Sequence, residues 1–157
     1  DVPADKYPLL GARYKHHYSV HQNDITLFTG VLEMLDRLKA RQHLLTVATG
    51  KSRGGLNEAL RDVNLQGIFD GSRTADETAG KPHPLMLQEL MMEFGVEADR
   101  VLMIGDTTHD LQMAVNAGCA SVAVSYGAHE PDSFEALGPL AIAHSVAELD
   151  AWLRANA

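Results

Sequence analysis

Val101-Leu102-Met103-Ile104-Gly105-Asp106-Thr107-Thr108-His109-Asp110 joins a short apolar run to a carboxylate and then to a helical pattern that begins at Leu111. A run this short and this greasy reads as a strand buried on both faces, and the end of such a strand is where an open parallel sheet places its ligands. Asp106 would stand on the lip of the loop and Asp110 one helical turn further on, so both could face one hard cation or the water around it. Thr107-x-x-Asp110 is equally the pattern of a capping box, which by itself accounts for Asp110. It does not account for Asp106, because a carboxylate ahead of the cap satisfies no helix N–H that Thr107 could not.

Outward from this stretch, from residue 31 onward, the hydrophobic period switches repeatedly between about 3.6 and a short continuous run, which is the mark of successive βαβ units. Val31, Leu35 and Leu38 mark one helix face, Leu44 to Ala48 reads as a strand, and Leu56 and Leu60 lie on the next helix. A weaker strand near Phe69 to Arg73 precedes Pro82, which suits a first helical position, and Leu87, Leu90, Met91 and Phe94 give a stripe that Gly95 closes. After the strand Val101 to Ile104 comes a helix with Leu111, Ala114 and Val115, stopped by Gly118, and then the strand Ala120 to Val124. Leu140 to Ala143 gives a last strand. Ser145 and Glu148 open a helix as a capping box, with Val146, Leu149 and Leu153 facing inward. Met91 and Met92 read as core filler.

The first thirty residues differ. They show no strand signal but a helical stripe of Tyr7, Leu10, Tyr14 and Tyr18. His17 and His21 are spaced as a helical metal pair, yet no third ligand is evident, so an amphipathic helix face is the reading kept.

With 157 residues, 45% hydrophobic and 22% charged, the chain has the composition of an ordinary globular domain. A net charge of -8 with scattered Lys and Arg argues against a nucleic-acid partner and implies that an anionic substrate is captured by a local positive site. The one cysteine, Cys119, lies among Ala117, Gly118 and Ala120, where a buried structural thiol is expected. No apolar stretch approaches a membrane span, and Asp1-Val2-Pro3-Ala4-Asp5 does not read as a signal peptide. A cytoplasmic setting with no membrane partner is the expectation.

In a parallel sheet the loops after all strands open on one edge, so distant residues can converge there. Thr49-Gly50-Lys51-Ser52 offers a hydroxyl and a glycine N–H that can approach an anion closely; it is also a plain strand-to-helix turn with Thr or Ser as cap. Gly80-Lys81-Pro82 puts Lys81 just ahead of an expected helix N-terminus, where a cation needs a counter-charge. With Asp106 and Asp110, these are the parts that hold a phosphate and a magnesium ion together.

In order and context, Val47-Ala48-Thr49-Gly50, Gly80-Lys81-Pro82 and Gly105-Asp106-Thr107-Thr108-His109-Asp110 resemble the second, third and fourth motifs of the haloacid dehalogenase-like hydrolases. Leu27-Phe28-Thr29-Gly30-Val31, Asp70 to Arg73 and Lys81-Pro82-His83-Pro84 further resemble the phosphoglycolate phosphatase subgroup. The resemblance implies an α/β fold with a Rossmann-like, doubly wound parallel sheet. It implies that Thr49 and the Gly50 backbone bind substrate phosphate, that Lys81 is catalytic and steadies the charge there, that Asp106 ligates Mg2+, and that Asp110 supports the metal or its water.

The family opens with an Asp-x-Asp motif on a central strand, and this sequence contains no Asp-x-Asp. The resemblance therefore implies that the first strand and most of the helical cap are missing, with residues 1–26 a remnant of the cap and residues 27–157 the core. On this view the chain is the C-terminal part of a longer phosphatase, acting on a small phosphorylated metabolite through an aspartyl-phosphate whose nucleophile is absent here. A separate N-terminal fragment could complete the sheet. The alternative is a module that binds phosphate or Mg2+ without catalysis.

Overall fold

The computed structural model describes residues 9–12, 30–126 and 134–157, the first four by their backbone alone. In chain order the elements are β1 (Leu9–Ala12), α1 (Val31–Ala40), β2 (Leu44–Thr49), α2 (Arg53–Asp62), β3 (Gly71–Thr74), α3 (Leu85–Phe94), β4 (Val101–Gly105), α4 (Thr108–Ala117), β5 (Ala120–Val124), β6 (Ile142–Ala143) and α5 (Val146–Asn156). The six strands form one sheet in the order β3-β2-β1-β4-β5-β6, with every neighbouring pair parallel. The direction of winding reverses at β1, because β2 and β3 extend the sheet to one side and β4, β5 and β6 to the other. Open α/β sheets take their ligands beside such a reversal, at the carboxyl ends of the strands.

The central place expected to be vacant is filled, which corrects two expectations at once. Leu9–Ala12 is a strand rather than part of a helix, and the core sheet does have a strand between β2 and β4. Leu9 pairs with Leu44 on one side and with Val101 on the other. The physical reason is the cost of unpaired backbone: two long strands facing an empty slot demand a partner, and that demand outweighs a helical period read from a few aromatic residues. Tyr7, Tyr14, Tyr18, His17, His21 and the boundary expected between residues 26 and 27 lie outside the described residues.

Helices cover both faces. On one, α1 and α5 pack against Leu45 of β2, Leu102 and Ile104 of β4, and Val122 and Val124 of β5. On the other, α3 and α4 pack against Ala48, Val101 and Met103. The alternation along β4 explains its continuous apolar sequence: Val101 and Met103 serve one core, Leu102 and Ile104 the other. At about 25 cal/mol per Å2 of apolar surface removed from water, each of these large side chains contributes about 1.5–3 kcal/mol.

Helix ends follow the sequence signals with local exceptions. Gly95 and Gly118 close α3 and α4 in the left-handed conformation, with φ of 65° and 76°. Ser145 caps α5 by accepting from the Glu148 N–H, but the Glu148 carboxylate turns to the His144 N–H instead of closing the box. Pro82 is not the first helical residue. Helix α3 starts at Leu85, whose N–H is taken by His83 Nδ1 at 3.1 Å, so the loop carrying Lys81 is longer than expected. The last strand is only Ile142–Ala143, with Leu140 exposed, and Val115 and Met92 also face solvent rather than the core.

Cys119 is buried, and that burial pushes its thiol up to about 11. At about pH 8 the thiol therefore stays protonated and unreactive in the native protein. Iodoacetamide should label it in denaturant and not in buffer; rapid labelling of the native protein would show that the α3/α4 side of the core is open.

Candidate active site

The register of the sheet brings the first two sites level. Thr49 lies as far along β2 from Leu44 as Asp106 lies along the β4 line from Val101, and both Leu44 and Val101 pair with Leu9. Thr49 and Asp106 therefore flank the end of β1 with one strand between them, about 10 Å apart at two strand spacings. Both side chains are buried, at 2% and 1% exposure. Thr74, the last residue of β3, stands beside Thr49 in the same row.

Each loop is shaped by local chemistry. After β2 it is Ser52, not Thr49, that caps α2, its Oγ accepting from the Gly55 N–H at 3.1 Å. Thr49 Oγ1 accepts from the Lys51 N–H at 3.2 Å. As a hydroxyl it still has a proton to donate to an anion. Gly50 is exposed at the lip.

After β4, Thr107 caps α4 with its Oγ1 on the Asp110 N–H at 3.1 Å, and Asp110 Oδ2 accepts in return from the N–H groups of Thr107 at 3.3 Å and Asp106 at 3.1 Å. The capping box is real, and it uses only half of the carboxylate. Asp110 Oδ1 accepts from Lys81 Nζ, and the pair is sealed from water, with side-chain exposures of 0% for Asp110 and 5% for Lys81. Asp110 is thus the counter-charge that Lys81 requires. The lysine arrives from the far side of β3, in a loop whose Lys81-Pro82 peptide is cis and whose Pro82 carbonyl accepts from Asn116 Nδ2 at 2.9 Å.

Gly105 makes this junction possible. A Cβ there would stand 2.4 Å from Asp110 Cβ, so any side chain would push the first turn of α4 off the strand end. Tyr126, two residues beyond β5, went unnoticed in the sequence. It packs against the α1/α5 core, and burial pushes its phenol up to about 12, with the negative charge of Asp106 adding to the shift. An aromatic residue just past a strand end on the edge that holds the other site residues was the signal available.

The donor set at this edge is entirely hard oxygen. Among the described residues no three His, Cys, Asp or Glu side chains gather as a metal cage. Carboxylate oxygens are the ligand type of Mg2+, which is held by one or two carboxylates and completes its shell with water and substrate phosphate. The Asp106 carboxylate is a ligand of that type, whereas both oxygens of Asp110 already accept hydrogen bonds.

Comparison with known proteins assigns the family. The haloacid dehalogenase-like hydrolase family model matches residues 4–124. The chain belongs to the haloacid dehalogenase-like hydrolases. Among its relatives, a protein named probable phosphatase IndB from Dickeya dadantii is 39% identical over 124 residues, 78% of this chain and 54% of that protein. A phosphoglycolate phosphatase of Rhodospirillum rubrum is 33% identical over 147 residues, 90% of this chain and 59% of that protein. This agrees with the subgroup that the motifs resemble. A crystal structure of a superfamily hydrolase from Geobacter sulfurreducens superposes with a TM-score of 0.66 at 29% identity, over 78% of this chain and 58% of that one. The chain spans somewhat over half the length of these haloacid dehalogenase-like relatives.

Removing one partner of the buried Lys81–Asp110 pair strands the other charge, at a cost of about 3–5 kcal/mol. Lys81→Met and Asp110→Asn should each lower stability by that order, and the double variant should lose clearly less than the sum. Urea unfolding in a double-mutant cycle measures this, and additive losses would show that the two groups are not coupled.

Proposed function

We propose that this haloacid dehalogenase-like chain carries the phosphate- and metal-binding part of a Mg2+-dependent phosphomonoester hydrolase that acts on a small phosphorylated metabolite such as phosphoglycolate. One observation carries the reading: a lysine ion-paired to a helix-capping carboxylate, beside a buried aspartate on the same sheet edge as a buried threonine. A capped helix needs no lysine, and a solvated loop lysine needs no burial. An ammonium group held rigid at the carboxyl edge of a parallel sheet suits an anion that gains charge as it reacts.

In this mechanism the Thr49 hydroxyl and the Gly50 N–H donate to two phosphoryl oxygens, while Lys81 neutralises charge between phosphate and attacking group. Asp110 fixes the lysine through Oδ1 and is itself fixed by backbone N–H groups, so the ammonium does not reorganise during the reaction. Asp106 would hold Mg2+, which supplies Lewis-acid neutralisation of the phosphoryl charge when bound. The attacking aspartate of the Asp-x-Asp motif, which would carry the aspartyl-phosphate, is not contained in this sequence. The setting proposed is cytoplasmic, without nucleic-acid or membrane partners; among the described residues no helix is long and apolar enough to cross a membrane.

A second reading is a module that binds phosphate and Mg2+ without turning substrate over. Titration calorimetry with MgCl2 and inorganic phosphate, together with phosphoglycolate turnover, separates the two. Binding with turnover supports the enzyme, and binding alone supports the module. Asp106→Asn should weaken Mg2+ binding at least about tenfold, and Thr49→Val and Lys81→Ala should do the same to phosphate. A folded wild-type protein that binds neither ion would overturn both readings.

A further inference from the structure

The two loops that would grip phosphate are tied together by side chains that belong to neither motif. Arg53, in the first turn of α2, reaches across to the loop after β3. Its Nε and Nη2 donate to Glu77 Oε2 at 3.0 Å and Oε1 at 2.7 Å, a two-pronged pairing, and its Nη1 donates to Ser72 Oγ at 2.7 Å. Asp76, next to Glu77, accepts the backbone N–H of Arg53 with Oδ1 at 3.1 Å and Oδ2 at 3.2 Å, and takes the Thr74 hydroxyl at 2.5 Å. The Ala75 N–H closes the seam on the Lys51 carbonyl at 3.3 Å.

We infer that Arg53, Asp76 and Glu77 form a clamp of positioning residues that fixes the Thr49–Gly50 loop relative to the loop carrying Lys81. The inference rests on the phosphate-site reading above. Its physical basis is that Thr49 and Lys81 lie 32 residues apart in the sequence and on loops from different strands. Neither the Ser52 cap nor the Asp110 ion pair spans that gap. The clamp does, from outside the site, and a planar guanidinium on a carboxylate sets distance and angle together. An isolated exposed ion pair of this kind contributes little to stability, so geometry is where its effect should be felt.

The pairing is charged over the working range. The Arg53 hydrogen bonds hold the Glu77 carboxyl down to about 2. A carboxylate whose folded value is depressed contributes above its ordinary value and loses that contribution as pH falls through the folded value, so the clamp is intact at neutral pH and opens only in strong acid.

Glu77→Gln separates geometry from charge. It makes the edge less negative, so electrostatics alone predicts tighter binding of inorganic phosphate, whereas a loosened clamp predicts weaker binding. Weakening of about tenfold is expected, with faster amide hydrogen exchange over residues 75–81 and an unfolding midpoint close to wild type. Arg53→Ala should behave likewise, and Arg53→Lys should recover only part, because it restores the charge without the fork. Unchanged or tighter phosphate binding in Glu77→Gln, while Thr49→Val weakens it, overturns the clamp and leaves the site intact. If wild type binds no phosphate, the site reading falls and the positioning role with it; unchanged exchange over residues 75–81 in Arg53→Ala would also remove the mechanical link.

Discussion

Burying an ammonium group is the constraint around which this edge of the molecule is arranged. Lys81 sits at 5% exposure against Asp110, which is itself fully buried and accepts hydrogen bonds from backbone N–H groups as well as from the lysine. Those N–H groups exist because β4 ends and α4 begins there, and the helix can begin so close because residue 105 has no side chain. Strand end, glycine, cap and ion pair form one chain of necessity. Such pairs are weak sources of stability, since desolvation offsets most of their attraction, so the arrangement is better understood as fixing the place of a charge than as holding the fold together.

Beneath that junction lies an ordinary two-faced α/β core. Its winding reverses beside β1, and the five catalytic and binding candidates reach the same edge from the ends of β2 and β4 and the loop after β3. Each of the three loops alone would pass as turn chemistry. Ser52 and Thr107 are caps, and Asp110 completes a capping box. The proposed function draws on what those caps leave over: a threonine hydroxyl with a proton to give, a second carboxylate oxygen on a lysine, and Asp106 just ahead of the cap.

Most of this was legible from residue 31 onward, because strands buried on both faces announce themselves as continuous apolar runs and helices as spaced stripes. Val101 to Ile104, Ala120 to Val124 and the α1 face stand where the sequence puts them. The misreadings share a cause. Leu9–Ala12 carries no strand pattern of its own and takes its conformation from the two neighbours it pairs with. Pro82 fits a helix start by propensity, yet the loop runs on to Leu85 because Lys81 has to reach Asp110. Asp110 had two competing explanations, a cation and a capping box; Oδ2 makes the box, while Oδ1 meets Lys81, a partner that neither explanation named. No local pattern could reveal the Arg53 contacts, whose partners lie 19 and 24 residues away.

The short central strand has a consequence for how the chain assembles. Leu9 finds Leu44 across 35 residues and Val101 across 92. Among the described residues the two halves of the sheet share no direct ladder, and this segment joins their strands. Pairings that span so much sequence close late and slowly, because the entropy of the intervening loop is lost before the contacts form. The edge that gathers the site thus rests on the two pairings of longest sequence separation in the described sheet, those least helped by local chain closure.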